Sequence, residues 1–295
     1  MEIVVKTLGG LGNQLFQYAA GRCLANRYGA SLLIAPEMPL SLARDNPRRM
    51  LLPKFAIRAP VRELDDFDRL MTSTRPLLTL PAYCARLGRR IQVIRQSPQK
   101  CLFHQELETR PDTRTAYVVG YWQDYSIVQQ VETDLRREIW LLDPLDGKNL
   151  EVAMQIHLAE WPVSIHLRRG DYASFFGSNM QLSAAYYERA VARMLSVNRR
   201  ASFFVFSDDA GYAHRWVRDR PRMTVVDHNV AADAHEDLRL MSLCRSHIIA
   251  NSTFSWWAAW LNTHPGKSVI APADWLGHRT DSTAIAAPDW ELLAA

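Results

Sequence analysis

From Val163 onward, short apolar runs alternate strictly with runs of helical period, and this alternation limits the fold more than any other feature. Strands are expected at Val163–Leu167, Ser202–Phe206, Met223–Val226, His247–Ala250 and Ser268–Ala271. Helices are expected between them at Ser183–Val197, Gly211–Asp219, His235–Cys244 and Phe254–Asn262. Such an order demands parallel strands joined by crossover helices, a doubly wound α/β layer.

The first half carries a sparser version of the same pattern. Glu2–Thr7 reads as a strand, Leu8–Gln14 as a glycine-rich turn and Leu15–Tyr28 as a helix with Leu15, Tyr18, Ala19, Cys23 and Leu24 on one period. Further strands are expected at Ser31–Ala35 and near Ala116–Gly120, the latter followed by an exposed aromatic cluster, Tyr121–Tyr125. A turn signal at Asp143–Gly147 precedes a helix from about Lys148 to Glu160. With 295 residues the chain exceeds the usual single domain, so two α/β domains are expected, 1–155 and 156–295.

Composition excludes several classes. A net charge of +4 is too small to argue for nucleic acid, and the 48% hydrophobic content supports a substantial core. Cys23, Cys84, Cys101 and Cys244 show no metal spacing, and Cys23 and Cys244 read as reduced core thiols. No signal peptide and no 18-residue apolar run is read, so a cytoplasmic protein is expected and the sequon at Asn251–Thr253 is disregarded. From Arg69 to Gln105 there is no Asp or Glu, and the stretch from Arg69 to Lys100 is basic. It is either a solvated helical face or a peripheral contact with an anionic membrane, on the cytoplasmic face of an inner membrane, near a lipid-linked acceptor.

Four segments carry chemistry. The Val163–Leu167 strand delivers His166, Arg168, Arg169, Gly170 and Asp171 to its carboxyl end, where ligands of open α/β sheets bind. Two arginines there suit a diphosphate, although a solvated turn paired with Asp171 is the plainer alternative. The glycine turn lets backbone approach a ligand, but Leu15 stands where a dinucleotide-binding turn needs its third glycine. At Asn251–Phe254 a short strand meets a helix that Ser252 or Thr253 can cap, a ready anion site. Trp256, Trp257 and Trp260 follow as core packing or, less simply, as sugar platforms. Asp208–Asp209 is a carboxylate pair that either binds a metal or holds nucleoside N–H and hydroxyl groups.

Gly9–Ala19, His166–Tyr172, Phe206–Asp209 and Asn251–Trp257 together resemble glycosyltransferase family 11, the α-1,2-fucosyltransferases, in a bacterial form. The family's small residue and Cys before its paired tyrosines are replaced here by Met180–Ala185. The resemblance implies a GT-B-like arrangement of two Rossmann-like domains with the active site in the interdomain cleft. It implies inverting, metal-independent transfer of L-fucose from GDP-β-L-fucose to the 2-hydroxyl of a terminal β-galactoside in a surface glycan. GDP-fucose is then a substrate, and no cofactor or metal is expected. By the same resemblance Arg168 contacts the diphosphate, with Arg169, Asp208, Asp209, Asn251, Ser252, Thr253 and Phe254 around the donor. His166 and Asp171 line the pocket, Asp171 being the first candidate for general base and His166 the second. Gly10 and Gly12 approach the donor, and Asn13 and Gln14 reach its sugar or diphosphate from the opposite domain. A carbohydrate-binding module, suggested by nine tryptophans, and a nicotinamide oxidoreductase are the rivals from other classes.

Overall fold

A computed structural model of the chain describes residues 1–37, 49–72, 90–96, 107–169, 181–275 and 284–295. It divides into two compact units, Met1–Leu142 and Asp143–Ala295.

The first unit is built on a parallel sheet of order β2-β1-β4-β3, with β1 at Glu2–Thr7, β2 at Ser31–Pro36, β3 at Ile91–Arg95 and β4 at Thr115–Val119. Helix α1 (Leu11–Tyr28) crosses from β1 to β2 and ends at Gly29, whose left-handed φ of 58° suits glycine. Helix α2 is Asp66–Thr72, α3 is Tyr125–Gln130 and α4 is Glu132–Glu138. Strand β3 corrects the expected helical face in the basic stretch: Ile91 and Ile94 turn inward, and Val93 packs beside Ile91 and Tyr117. Most of that stretch, with Cys84 and Cys101, lies outside the described residues.

The second unit carries a parallel sheet of order β10-β9-β8-β5-β6-β7. Its strands are β5 (Trp161–Leu167), β6 (Ala201–Ser207), β7 (Met223–Val226), β8 (Ser246–Ile248), β9 (Val269–Pro272) and β10 (Glu291–Leu293). Its helices are α5 (Gly147–Leu158), α6 (Ala184–Val197), α7 (Ala210–Val217), α8 (Ala234–Leu243) and α9 (Thr253–Leu261). Helix α5 corrects the expected boundary at 155. It buries Val152, Ala153 and Ile156 and packs against α8, so it belongs wholly to the second unit.

Strand β5 feeds both faces. Val163, Ile165 and Leu167 join Tyr186, Tyr187, Ala190 and Met194 of α6 and Ala213 and Trp216 of α7 in one core. Ser164 and His166 turn to the other face, as a strand's period of two requires. There Ser164 Oγ and His247 Nδ1 are 2.8 Å apart, and His247 Nε2 lies 2.8 Å from Asn262 Nδ2. The Asn262 amide donates to Nε2, so the proton sits on Nδ1 and is donated to Ser164. Trp256, Trp257 and Trp260 of α9 are buried, and Trp256 Nε1 donates to the Ile285 carbonyl at 2.6 Å. They are core packing. Cys23 and Cys244 are free and buried, as expected of core thiols. No helix among the described residues is long and apolar enough to cross a membrane.

Candidate functional site

In the second sheet the chain winds outward from β5 to β7 and then, on the other side, from β8 to β10; in the first it runs from β1 out to β2, then takes up the other side at the edge strand β3 and returns inward to β4. The winding reverses between β5 and β8 in the second unit and between β1 and β4 in the first. Ligands of doubly wound sheets bind outside the carboxyl ends of strands at such reversals.

At the second unit's reversal, β5 runs into Arg168 and Arg169. Strand register places His166 opposite Phe206 and Leu167 opposite Ser207, so the next residues on each side, Arg168 and Asp208, meet. Arg168 Nη1 lies 3.0 Å from Asp208 Oδ2, and both side chains remain about a quarter exposed, at 23% and 25%. The Arg169 N–H donates to Asp208 Oδ1 at 2.8 Å, and the Arg169 guanidinium stands over the Tyr212 ring, 4.1 Å from its centroid. Asp209 is used differently. Its Oδ1 accepts the Tyr212 N–H at 2.8 Å and caps α7. The expected carboxylate pair is therefore divided, with Asp208 holding arginine and Asp209 holding a helix. Among the described residues no group of three His, Cys, Asp or Glu side chains is placed to hold a metal ion.

His166 is 3% exposed and tilts 53° against the Phe254 ring with centroids 5.6 Å apart. Burial pushes its pKa down to about 4; Arg168 adds to the shift and Asp208 opposes it. The ring is neutral at physiological pH, and its buried Nδ1 has no hydrogen-bond partner among the described residues. From the neighbouring β8 the chain passes through buried Asn251 and Ser252 into α9. Ser252 occupies the N-cap, but its hydroxyl makes no capping bond, contrary to the expected cap. The first-turn N–H groups of α9 and its positive dipole end lie where an anion binds best. Gly170 and Asp171 lie outside the described residues.

At the first unit's reversal the glycine turn is shorter than expected. The Gly10 carbonyl accepts the N–H groups of Asn13 at 3.0 Å and Gln14 at 3.1 Å, so α1 already starts at Leu11 and includes Gly12. Gly9 has a φ of +74°, and a Cβ there would stand 2.7 Å from Asn13 Nδ2. Gly10 leaves open space beside it. Gln17 clamps the turn by accepting the Leu8 N–H at 2.8 Å. Gln14, expected to reach the donor, is instead 2% exposed. Its Nε2 donates to the carbonyls of Gly9 (3.0 Å) and Arg49 (2.9 Å), and its Oε1 accepts the Leu51 N–H at 3.0 Å. Three backbone groups use the Gln14 amide, which makes it part of the scaffold of the turn.

Asn13 is half-buried, and its Oδ1 accepts a hydrogen bond from Gln123 Nε2 at 3.0 Å. Gln123 carried no sequence signal beyond its place after a strand. The aromatic cluster around it is not uniformly exposed: Trp122 is 2% exposed and Tyr121 46%. Asp237 was also not foreseen. It sits in the first turn of α8 and accepts from Asn229 Nδ2 at 2.7 Å. Asn229 and His228 are tied to Asn149 Oδ1 of α5 at 2.9 Å each. Burial pushes the Asp237 carboxyl up to about 7, Asn229 opposes this, and Asp233 and Glu236 add to it.

The sequence profile of Glycosyl transferase family 11 matches residues 103–294. O-antigen biosynthesis glycosyltransferase WbnK of Escherichia coli is 30% identical, over 93% of this chain and 95% of its own length. The alpha-1,2-colitosyltransferase of Escherichia coli is 28% identical, over 93% of each chain. Human galactoside alpha-(1,2)-fucosyltransferase 1 is 23% identical over 86% of this chain and 63% of that protein. Among solved structures, NodZ alpha-1,6-fucosyltransferase from Bradyrhizobium, soaked with GDP-fucose in one instance, has a TM-score of 0.51 at 17% identity, covering 87% of this chain and 91% of its own. POFUT1 in complex with GDP also has a TM-score of 0.51, at 12% identity, covering 91% of this chain and 97% of its own. The shared fold is of the GT-B type, with two parallel-sheet α/β units.

Proposed function

The chain belongs to glycosyl transferase family 11, and from that premise we propose that it transfers L-fucose from GDP-β-L-fucose to the 2-hydroxyl of a terminal β-galactoside, with inversion and without a metal ion. The observation that carries this reading is the Arg168–Asp208 pair beside the start of α9, at the point where the second sheet's winding reverses. Breaking the sugar–phosphate bond builds negative charge on the departing diphosphate, and something must stabilise it. Arg168 supplies a planar, permanently charged fork, and Asp208 fixes its orientation. The α9 N-terminus, with Asn251, Ser252, Thr253 and Phe254, supplies partial positive charge to the same leaving group. Arg169, held over Tyr212, adds long-range attraction.

His166 is a neutral hydrogen-bonding wall of this pocket. Burial disfavours its charged form, so it meets the substrate as a neutral group, and Asp171, first choice by the family resemblance, is the base of this reading. In the first unit, Asn13 contacts the fucosyl group or the leaving phosphate as transfer proceeds, and Gly10 leaves room for close approach. The WbnK likeness supports a surface-glycan acceptor. A lipid-linked form of that acceptor, a cytoplasmic enzyme and membrane contact through the basic stretch complete the proposal.

The likeness to a colitosyltransferase favours one second reading, in which colitose replaces fucose on the donor and the linkage is the same. Offering GDP-fucose and GDP-colitose separately, each with a β-galactoside acceptor, decides between them. Faster fucose transfer supports the main reading. Faster colitose transfer moves the chain to the second, and transfer of neither contradicts both.

A further inference from the structure

Two neighbouring strands of the first unit, β1 and β4, end side by side, with Lys6 opposite Val119. The chain leaves β1 through the glycine turn and leaves β4 through Gly120–Asp124. The second connection is built to an unusual degree. Gly120 has a φ of +152°, and a Cβ there would come within 2.5 Å of Gln96 Cβ. Trp122, a bulky and fully buried residue, has a left-handed φ of 54°. Such a conformation in a non-glycine residue persists only where the surroundings over-determine it. Here they do. Gln96 Oε1 accepts the N–H groups of Tyr121 at 2.8 Å and Trp122 at 3.1 Å. The Asp124 N–H donates to the Trp122 carbonyl at 2.9 Å, and Asp124 Oδ1 caps α3 through the Ser126 N–H at 2.7 Å. Between the buried indole and the cap stands one residue, Gln123, and it reaches back across the reversal of the winding to Asn13.

The geometry points to Gln123 as a positioning residue for sugar transfer: by donating Nε2–H to Asn13 Oδ1 it fixes which way the Asn13 amide faces. This rests on the reading of Asn13 as a substrate contact given above. An asparagine amide presents a donor at one end and an acceptor at the other, and only its partners decide the orientation. With Oδ1 held by Gln123, Nδ2 is directed over Gly9, where a Cβ would come within 2.7 Å of it. A donor group so fixed in advance needs no reorganisation when charge develops on the substrate.

Two variants separate this role from a merely structural one. Gln123→Glu keeps length and polarity but replaces the donor by an acceptor, which turns the Asn13 amide over. Gln123→Lys keeps a donor. The expected result is a kcat reduced about ten- to a hundredfold in Gln123→Glu, with the melting temperature and the calorimetric GDP affinity unchanged, and a smaller kcat loss in Gln123→Lys. Asn13→Ala alone should lower kcat, and adding Gln123→Glu to it should cost nothing further. A kcat equal to wild type in Gln123→Glu, or equal losses in the Glu and Lys variants, overturns the positioning role while Asn13→Ala remains impaired. Wild-type kcat in Asn13→Ala overturns instead the reading of Asn13 on which it rests.

Discussion

Arg168 and Asp208 meet at 3.0 Å because β5 and β6 pair in register up to the residues just before them. The ion pair is partly exposed, so it adds little to stability. Its consequence is orientation: Asp208 holds the guanidinium at the strand end, and a guanidinium fork suits two oxygens of a phosphate. Arg168→Lys keeps the charge and loses the fork. Steady-state kinetics should show kcat/KM lowered about ten- to a hundredfold, since one charge-assisted contact made to the departing group is worth roughly 1.5–3 kcal/mol. Turnover near that of wild type would place the diphosphate elsewhere.

Asp208 is committed to Arg168 and to the Arg169 N–H, and Asp209 to the cap of α7. Neither stands ready as half of a carboxylate clamp. Transfer activity should therefore survive prior incubation with EDTA. A complete loss that Mn²⁺ restores would assign the two carboxylates to a metal.

Asp237 gives a pH signature. Its carboxyl is raised to about 7 in the folded chain, above the ordinary value of 3.8, so the folded state binds the proton more tightly than the unfolded state. Its contribution is full below the ordinary value and is lost as pH climbs through 7. His166 and His247 act in the opposite sense. Burial lowers them to about 4 and about 3, so their contribution is full above about 6.5 and is lost as pH falls toward those values. Asp237→Asn removes only the first effect and keeps an acceptor for Asn229. Melting curves should show the variant gaining on wild type as pH rises from 5 to 8. A difference independent of pH would mean that Asp237 is ordinarily ionised.

Gln14 and Asn13 are adjacent and chemically alike, yet the fold uses them differently. Gln14→Ala strips a buried amide from three backbone groups and should lower stability by on the order of 3 kcal/mol, read from denaturant unfolding. The folded fraction should keep its GDP affinity. Unchanged stability with lost turnover would return Gln14 to the donor site.

The second unit was legible in the sequence because parallel strands buried on both faces read as apolar runs. Met223–Val226 came out as expected, β5 is longer by two residues at its start and β6 by one at each end. The Arg168 segment and the Asn251–Phe254 segment were legible for the same reason, since each follows such a run. Strand β10 was not, because three residues carry no period. Strand β3 was hidden by the basic residues around it. The start of α1 was misread because Gly12 and Asn13 suggest a turn, whereas the Gly10 carbonyl recruits them into the helix. The Asn13–Gln123 bond joins residues 110 positions apart, and only the order of β1 and β4 in the sheet brings them together. The Asp237 carboxyl is shifted by burial that α8 acquires in packing, which no local pattern encodes.

The most direct test of the central claim is the linkage and anomeric configuration of the product. The purified protein is incubated with GDP-β-L-fucose and a terminal β-galactoside in the presence of EDTA, and the product is examined by NMR. The account predicts a single new α-linked fucose on the galactose 2-hydroxyl. A β-linked fucose, or an α-linked fucose on another hydroxyl, would contradict it.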